Sequence, residues 1–192
     1  MEIRNTKITK IKLKNFKNTE EGTLLVVGDM KNLKGSILGI YGQNGSGKTA
    51  VIEALLFLKR FIHGKSDIGK DIYPFITNGK DNMSIEVDVL CEMAPNKLFD
   101  LCYKVLFKKN NNQEAIMSEE SLSYKKYEDG EWTRKRGLIE SNEDGIRPQV
   151  RESEIKSLFF DGSFEMEVFK VLAQKENKSF IFSEEFVKRI EN

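Results

Sequence analysis

Eight consecutive residues, GQNGSGKT from Gly42 to Thr49, combine three glycines with a lysine and a hydroxyl. The spacing G-x-x-x-x-G-K-T suits the capture of a triphosphate tail. Successive backbone N–H groups of Asn44 to Thr49 can curl around phosphates only where no Cβ intrudes, hence Gly45 and Gly47. Lys48 supplies a point charge for the β- and γ-phosphate oxygens. The Thr49 hydroxyl offers an oxygen to magnesium, a hard ion that prefers oxygen ligands. Gln43 and Ser46 complete the cradle.

Such a loop works only between a strand and a helix, and the flanking sequence provides both. GSILGIYG is a short apolar run that predicts the strand leading in, and TKITKIKLKNFKN and GTLLVVGDM predict two strands before it. In the first of these Ile11 and Leu13 point one way and Lys10, Lys12 and Lys14 the other, with Ile8 out of phase. From Thr49 to Ile62 the apolar residues cover most of a helical circumference, leaving Glu53 and Arg60 as a thin polar stripe. This predicts a helix buried nearly all round, ended by His63-Gly64.

Beyond it the period shortens to two. MSIEVDVLCEM and LCYKVLFKK alternate, and AIMSEESLSYKKYEDGEWTRKR continues as strands with Asp129-Gly130 as a tight hairpin turn. This is an antiparallel meander, not a series of βαβ units. EDGIRPQV reads as a loop, and SEIKSLFF, SFEMEVFKVLAQKEN and SEEFVKRIEN read as helices, the last running to the end of the sequence. The expected organisation is a phosphate-binding core over residues 1–80, a meander over 81–137 and a mainly helical segment over 138–192, an α/β arrangement.

Composition narrows the function classes. Lys+Arg 31 against Asp+Glu 30 gives a net charge of +1, so no broad electrostatic case for nucleic acid exists. The lysine-rich opening, Arg4 to Lys17, fits a solvated strand face better than a DNA contact. Cys91 and Cys102 have neither C-x-x-C spacing nor nearby histidines, which points away from a zinc site or disulfide framework and toward buried thiols in a reducing compartment. No apolar run reaches membrane-spanning length, so a cytoplasmic protein with no membrane partner is expected. A guanine-reading N-K-x-D segment is missing, since NGKD at Asn78 to Asp81 has the wrong order, and this favours ATP.

At these residues the chain resembles the N-terminal lobe of an ABC-type ATPase of the SMC/RecF/OLD kind. ITKIKLKNFKN is similar to the opening strand of those proteins, which ends in an NF-basic corner beside the nucleotide. GQNGSGKTAVIEAL resembles their cradle and its helix. LCYKVLF…AIMSEESLSYKK resembles a strand pair of OLD-like and related bacterial AAA-family ATPases, many associated with phage defence. The resemblance spans about residues 7 to 136. It implies a P-loop NTPase fold with ATP and Mg2+ as ligands, and Asn44, Gly45, Ser46, Gly47, Lys48 and Thr49 at phosphate- and magnesium-binding positions. Lys17 falls at the basic position of the corner, where it is either a contact to the nucleotide or one more surface lysine.

Other parts of such a site are harder to find. No L-S-G-G-like signature is present, and SLFFDG places Gly162 where a general base would follow Asp161. Asp161 is a magnesium candidate or a helix cap, and Gln149 is a magnesium candidate in the manner of a Q-loop glutamine or a loop residue. His63 lies too near the cradle helix to act as a switch, and the general base is unknown. Two function classes follow. One is an ATPase lobe that binds Mg-ATP and turns it over only when a Walker B and signature lobe and a second protomer complete the site. The other is a nucleotide-dependent interaction module without turnover of its own. A homodimer or a C-terminal ATPase lobe is the expected partner, with a nuclease or DNA downstream. A small-molecule phosphotransferase would need an arginine-rich lid, and Arg134-Lys135-Arg136 is the sole local cluster.

Overall fold

The computed structural model describes residues 3–26, 38–43, 45, 47–62, 68–93, 97–142 and 145–150. Their main feature is one antiparallel sheet. Its strands are β1 (Ile3–Phe16), β2 (Thr19–Leu25), β3 (Asn82–Met93), β4 (Lys97–Lys109), β5 (Ala115–Glu128), β6 (Glu131–Trp132), β7 (Arg136–Asn142) and β8 (Gly145–Pro148). Their order is β2-β1-β3-β4-β5-β7-β8, with β6 pairing β5. The meander expected from the alternation is therefore present, and β1 joins it along β3. A helix α1 (Lys48–Ile62), a short α2 (Ile68–Ile72) and a 3-10 turn (Tyr73–Phe75) complete the described elements.

One sheet face carries the core. Ile11 and Leu13 of β1, Ile85 and Val87 of β3, Val105 and Phe107 of β4 and Leu122 of β5 are all buried in one cluster with Ala50, Ala54, Phe57, Leu58 and Phe61 of α1. Those α1 residues recur at helical spacing, so one stripe of the helix faces the sheet. Phe57 and Phe61 both meet the Phe107 ring edge-on, at 5.4 and 5.3 Å between centroids. Phe75 stacks on Phe16 at 5.4 Å and also meets Phe57, which ties the 3-10 turn to both β1 and α1. Tyr103 donates its hydroxyl to the buried carboxylate of Glu120 inside this core face.

Several expectations need correction. The out-of-phase Ile8 is explained by a register shift between Ile8 and Lys10 in the β1–β3 ladder, where Thr9 is the extra residue. A bulge of this kind turns the following side chains to the opposite face. Helix α1 is not buried all round, because Ile52 and Leu56 are 55% and 57% exposed. The strand expected just before the cradle is not formed over Leu38–Gln43, and residues 35–37 lie outside the described residues. The expected loop around Pro148 instead forms β8 against β7, with Pro148 on the sheet edge where its missing N–H costs nothing. The helices expected beyond Val150, and His63-Gly64, lie outside the described residues.

The Asp129-Gly130 hairpin is as expected. Tyr127 pairs with Trp132 and Glu128 with Glu131, and both turn residues have positive φ, 52° and 91°. No helix among the described residues is long and apolar enough to cross a membrane, which says nothing of a β-barrel.

Candidate phosphate-binding site

The cradle sits between the β1–β2 turn and the start of α1. Gly45 and Gly47 have φ of 86° and 83°, a left-handed conformation that side chains disfavour. At Gly47 a Cβ would also lie 3.1 Å from the Thr19 hydroxyl, so the loop passes close against β2. Helix α1 starts at Lys48, and its first turn carries no acidic residue to compete with an anion for the positive helix end. Asn44 and Ser46 lie outside the described residues, and Gln43 is exposed.

Lys48 bends across the loop. Its ammonium donates to the Gly42 carbonyl at 2.6 Å and the Gln43 carbonyl at 2.5 Å. The ammonium is thereby held against the cradle's own backbone. Thr49 is exposed, and its position and that of Lys48 wall a cavity of about 450 Å³. Gly45, Gly47, Lys17, Asn18 and Glu53 also line this cavity. A second, more apolar hollow of about 390 Å³ lies on the other side of the cradle, between Leu13, Leu24, Ile40, Tyr41 and Val51. These residues fit a phosphate chain with magnesium: glycines that hold the backbone open, a lysine charge, and a hydroxyl oxygen at the wall.

The β1–β2 turn grips the cradle from the side. β1 ends at Phe16, which pairs with Thr19, so Lys17 and Asn18 form a two-residue turn. Asn18 donates its side-chain amide to the Gly45 carbonyl at 3.2 Å. Lys17 has φ of 53°, at the turn position that glycine commonly fills. Its backbone N–H donates to the Phe75 carbonyl at 2.5 Å, and its ammonium lies 4.9 Å from the centre of the Phe75 ring. That ammonium also pairs with the Glu53 carboxylate of α1. Lys17 is thus brought to the cradle. Asn18 and Glu53 fall inside the ITKIKLKNFKN and GQNGSGKTAVIEAL stretches, but their contacts and that of Thr19 come into view only in three dimensions.

The remaining candidates lie elsewhere. Gln149 follows β8, separated from β1 by four strands of the sheet. Its backbone N–H donates to Leu138 and its side-chain amide to Glu140, at 2.9 and 3.0 Å. The structure does not bring it to the cradle. Asp161 lies outside the described residues.

The opening lysines find acids on neighbouring strands. Lys10 reaches Glu86 at 2.5 Å and Asp88 at 3.3 Å, and Lys12 reaches Glu21 at 2.8 Å. Hydrogen bonding to Glu86 is the main cause that raises the Lys10 pKa. Glu86, Asp88 and Cys102 come close enough to hold a metal, yet Lys10 already neutralises the two acids. Burial pushes the Cys102 thiol up to about 11, a protonated and therefore poor ligand. This opening face carries cross-strand ion pairs that are partly exposed.

A family model described as an AAA domain matches residues 10–192. Comparison with curated protein sequences gave no match. Among solved structures the chain is similar to the recombination mediator protein RecF with ATP, in the RecFOR pathway, at 18% identity and a TM-score of 0.41. The likeness covers 68% of this chain and 29% of that one, so the chain spans less than a third of that protein's length. The family model covers nearly all of the chain, cradle included, and the chain belongs to the AAA domain family of ATP-binding, ATPase-type domains.

Proposed function

We propose that this chain binds Mg-ATP through Gly42–Thr49 as the N-terminal lobe of an SMC/RecF/OLD-like ATPase. Hydrolysis then awaits a lobe carrying Walker B and signature residues and a second protomer. The observation that carries this is the convergence of left-handed Gly45 and Gly47, Lys48 and Thr49 on one cavity at the start of α1. Bound Mg-ATP would bring the phosphoanhydride bond and the metal charge that neutralises it. The chain's own part is to position: the cradle amides and Lys48 hold the phosphates, and Thr49 fixes the metal's side of the cavity.

Completion by further residues is supported by what surrounds the cradle. Among the described residues, Glu53 is the sole carboxylate lining the cavity, and it is engaged with Lys17. A single carboxylate does not both hold magnesium and orient an attacking water, whether or not Lys17 engages it. Leu38, Tyr41, Ile52 and Leu56 meanwhile stay exposed around the cradle and on α1, at 46%, 94%, 55% and 57%. Apolar surface left open in this way suits a protein partner. A homodimer, or a nuclease or DNA reading its closure, fits the same scheme.

The second reading, a module that binds nucleotide and changes assembly without turnover, rests on that same lone carboxylate at the cavity. Phosphate release from Mg-ATP separates the two. It is measured for this chain alone and then with a lobe supplying the Walker B and signature residues. Turnover that appears only in the mixture, and is lost in Lys48→Ala, supports the ATPase lobe. Binding without turnover in the mixture supports the module. Loss of neither binding nor turnover in Lys48→Ala removes both.

A further inference from the structure

Lys17 occupies a costly position. Positive φ at the first residue of a two-residue turn favours glycine, and glycine here would relieve the backbone. A lysine there gains nothing for the turn itself, so the reason lies with its side chain. That side chain reaches over the Phe75 ring to Glu53, on the wall of the cavity that Lys48 and Thr49 also line. Glu53 lies four residues after Thr49 on α1, hence on the same helix face and one turn further in. Lysine and glutamate side chains are respectively 33% and 30% exposed, so both keep a route to the cavity.

A carboxylate at that place works against an anion entering the cradle, because it repels the phosphates and holds a cation they would use. We propose that Glu53 is a placeholder for phosphate: it competes with the nucleotide for Lys17, and Lys17 exchanges carboxylate for phosphate when the cradle loads. The exchange breaks one ion pair and forms another, moving no covalent bond. Lys17 then belongs to the nucleotide contacts and Glu53 is a positioning residue that tunes their strength. The exchange also loosens the tie between the β1–β2 turn and α1, so loading is communicated from the cradle to the edge of the sheet. This inference rests on the Mg-ATP reading above and extends it to how binding is regulated.

A double-mutant cycle tests it. Mg-ATP affinity is measured by calorimetry for the wild-type chain, Lys17→Met, Glu53→Gln and the double variant, after thermal melts show that each is folded. Lys17→Met is expected to weaken binding roughly three- to tenfold, the loss of one charge-assisted contact. Glu53→Gln is expected to tighten it by a similar factor, and that gain should shrink when Lys17 is absent. An equal or larger gain in the Lys17→Met background overturns the exchange, since Glu53 would then act by repulsion alone. Weakened binding in Glu53→Gln also overturns it and marks the pair as structural. No heat from any of the four chains removes the nucleotide reading itself and this inference with it.

Discussion

The side-chain amide of Asn18 donates to the main-chain carbonyl of Gly45 at 3.2 Å, joining the β1–β2 turn to the cradle across the cavity. Two segments far apart in sequence are thereby set as one unit. The cradle is short and glycine-rich, so its shape depends on being held from outside. Asn18→Ala should cost about 1 kcal/mol in nucleotide binding, roughly fivefold in affinity, with little change in the melting temperature. Unchanged affinity would show that the cradle keeps its shape without the turn.

Inside the core, the Tyr103 hydroxyl donates to the buried carboxylate of Glu120. Glu120 is 1% exposed, so a lost donor cannot be replaced by bulk water. Tyr103→Phe should destabilise the chain by about 2 kcal/mol, read from urea denaturation midpoints at constant slope. A variant as stable as wild type would show that Glu120's other surroundings suffice.

Burial also governs the two cysteines. It pushes the Cys91 thiol up to about 12 and, with help from the neighbouring Asp88, Cys102 up to about 11, from an ordinary 9.0. Folded thiols therefore keep their protons where unfolded ones have lost them. The stability due to this is complete below pH 9, the unfolded value, and fades as pH rises through 11 to 12. Denaturation midpoints should fall above pH 9, and less steeply in Cys91→Ala. Rapid alkylation of the native thiols at neutral pH would contradict the burial of both.

On the outer face of α1, Ile52 and Leu56 lie one turn apart and exposed. Replacing both with lysine should leave folding stability within about 0.5 kcal/mol, since no core contact is removed. Concentration-dependent association in light scattering should decrease. A large loss of stability would instead place this face in the chain's own core.

The cradle was legible in the sequence because its chemistry is local: glycines, lysine and threonine stand in one unbroken stretch that leads into a helix. The meander was legible too, since alternation along Met83–Cys91 and Leu101–Phe107 marks a half-buried sheet face without knowledge of partners. Long-range pairing was not. Nothing local says that β1 lies between β2 and β3. The continuous apolar pattern of α1 likewise cannot say that Ile52 and Leu56 face outward, because hydrophobicity records what can be buried and not what covers it. Glu53 was visible within the GQNGSGKTAVIEAL stretch and as a polar position on α1; its pairing with Lys17 depends on how a turn and a helix meet in space.

The central claim is that the amides and lysine of Gly42–Thr49 hold a nucleotide's phosphates. Calorimetric titration of the chain with Mg-ATP, beside Lys48→Ala and Gly47→Ala, tests it most directly. Saturable heat in the wild type, lost or reduced at least tenfold in both variants, with the melting temperature held in Lys48→Ala, is the predicted result. Wild-type heat that survives in both variants, or no heat at all, would contradict it.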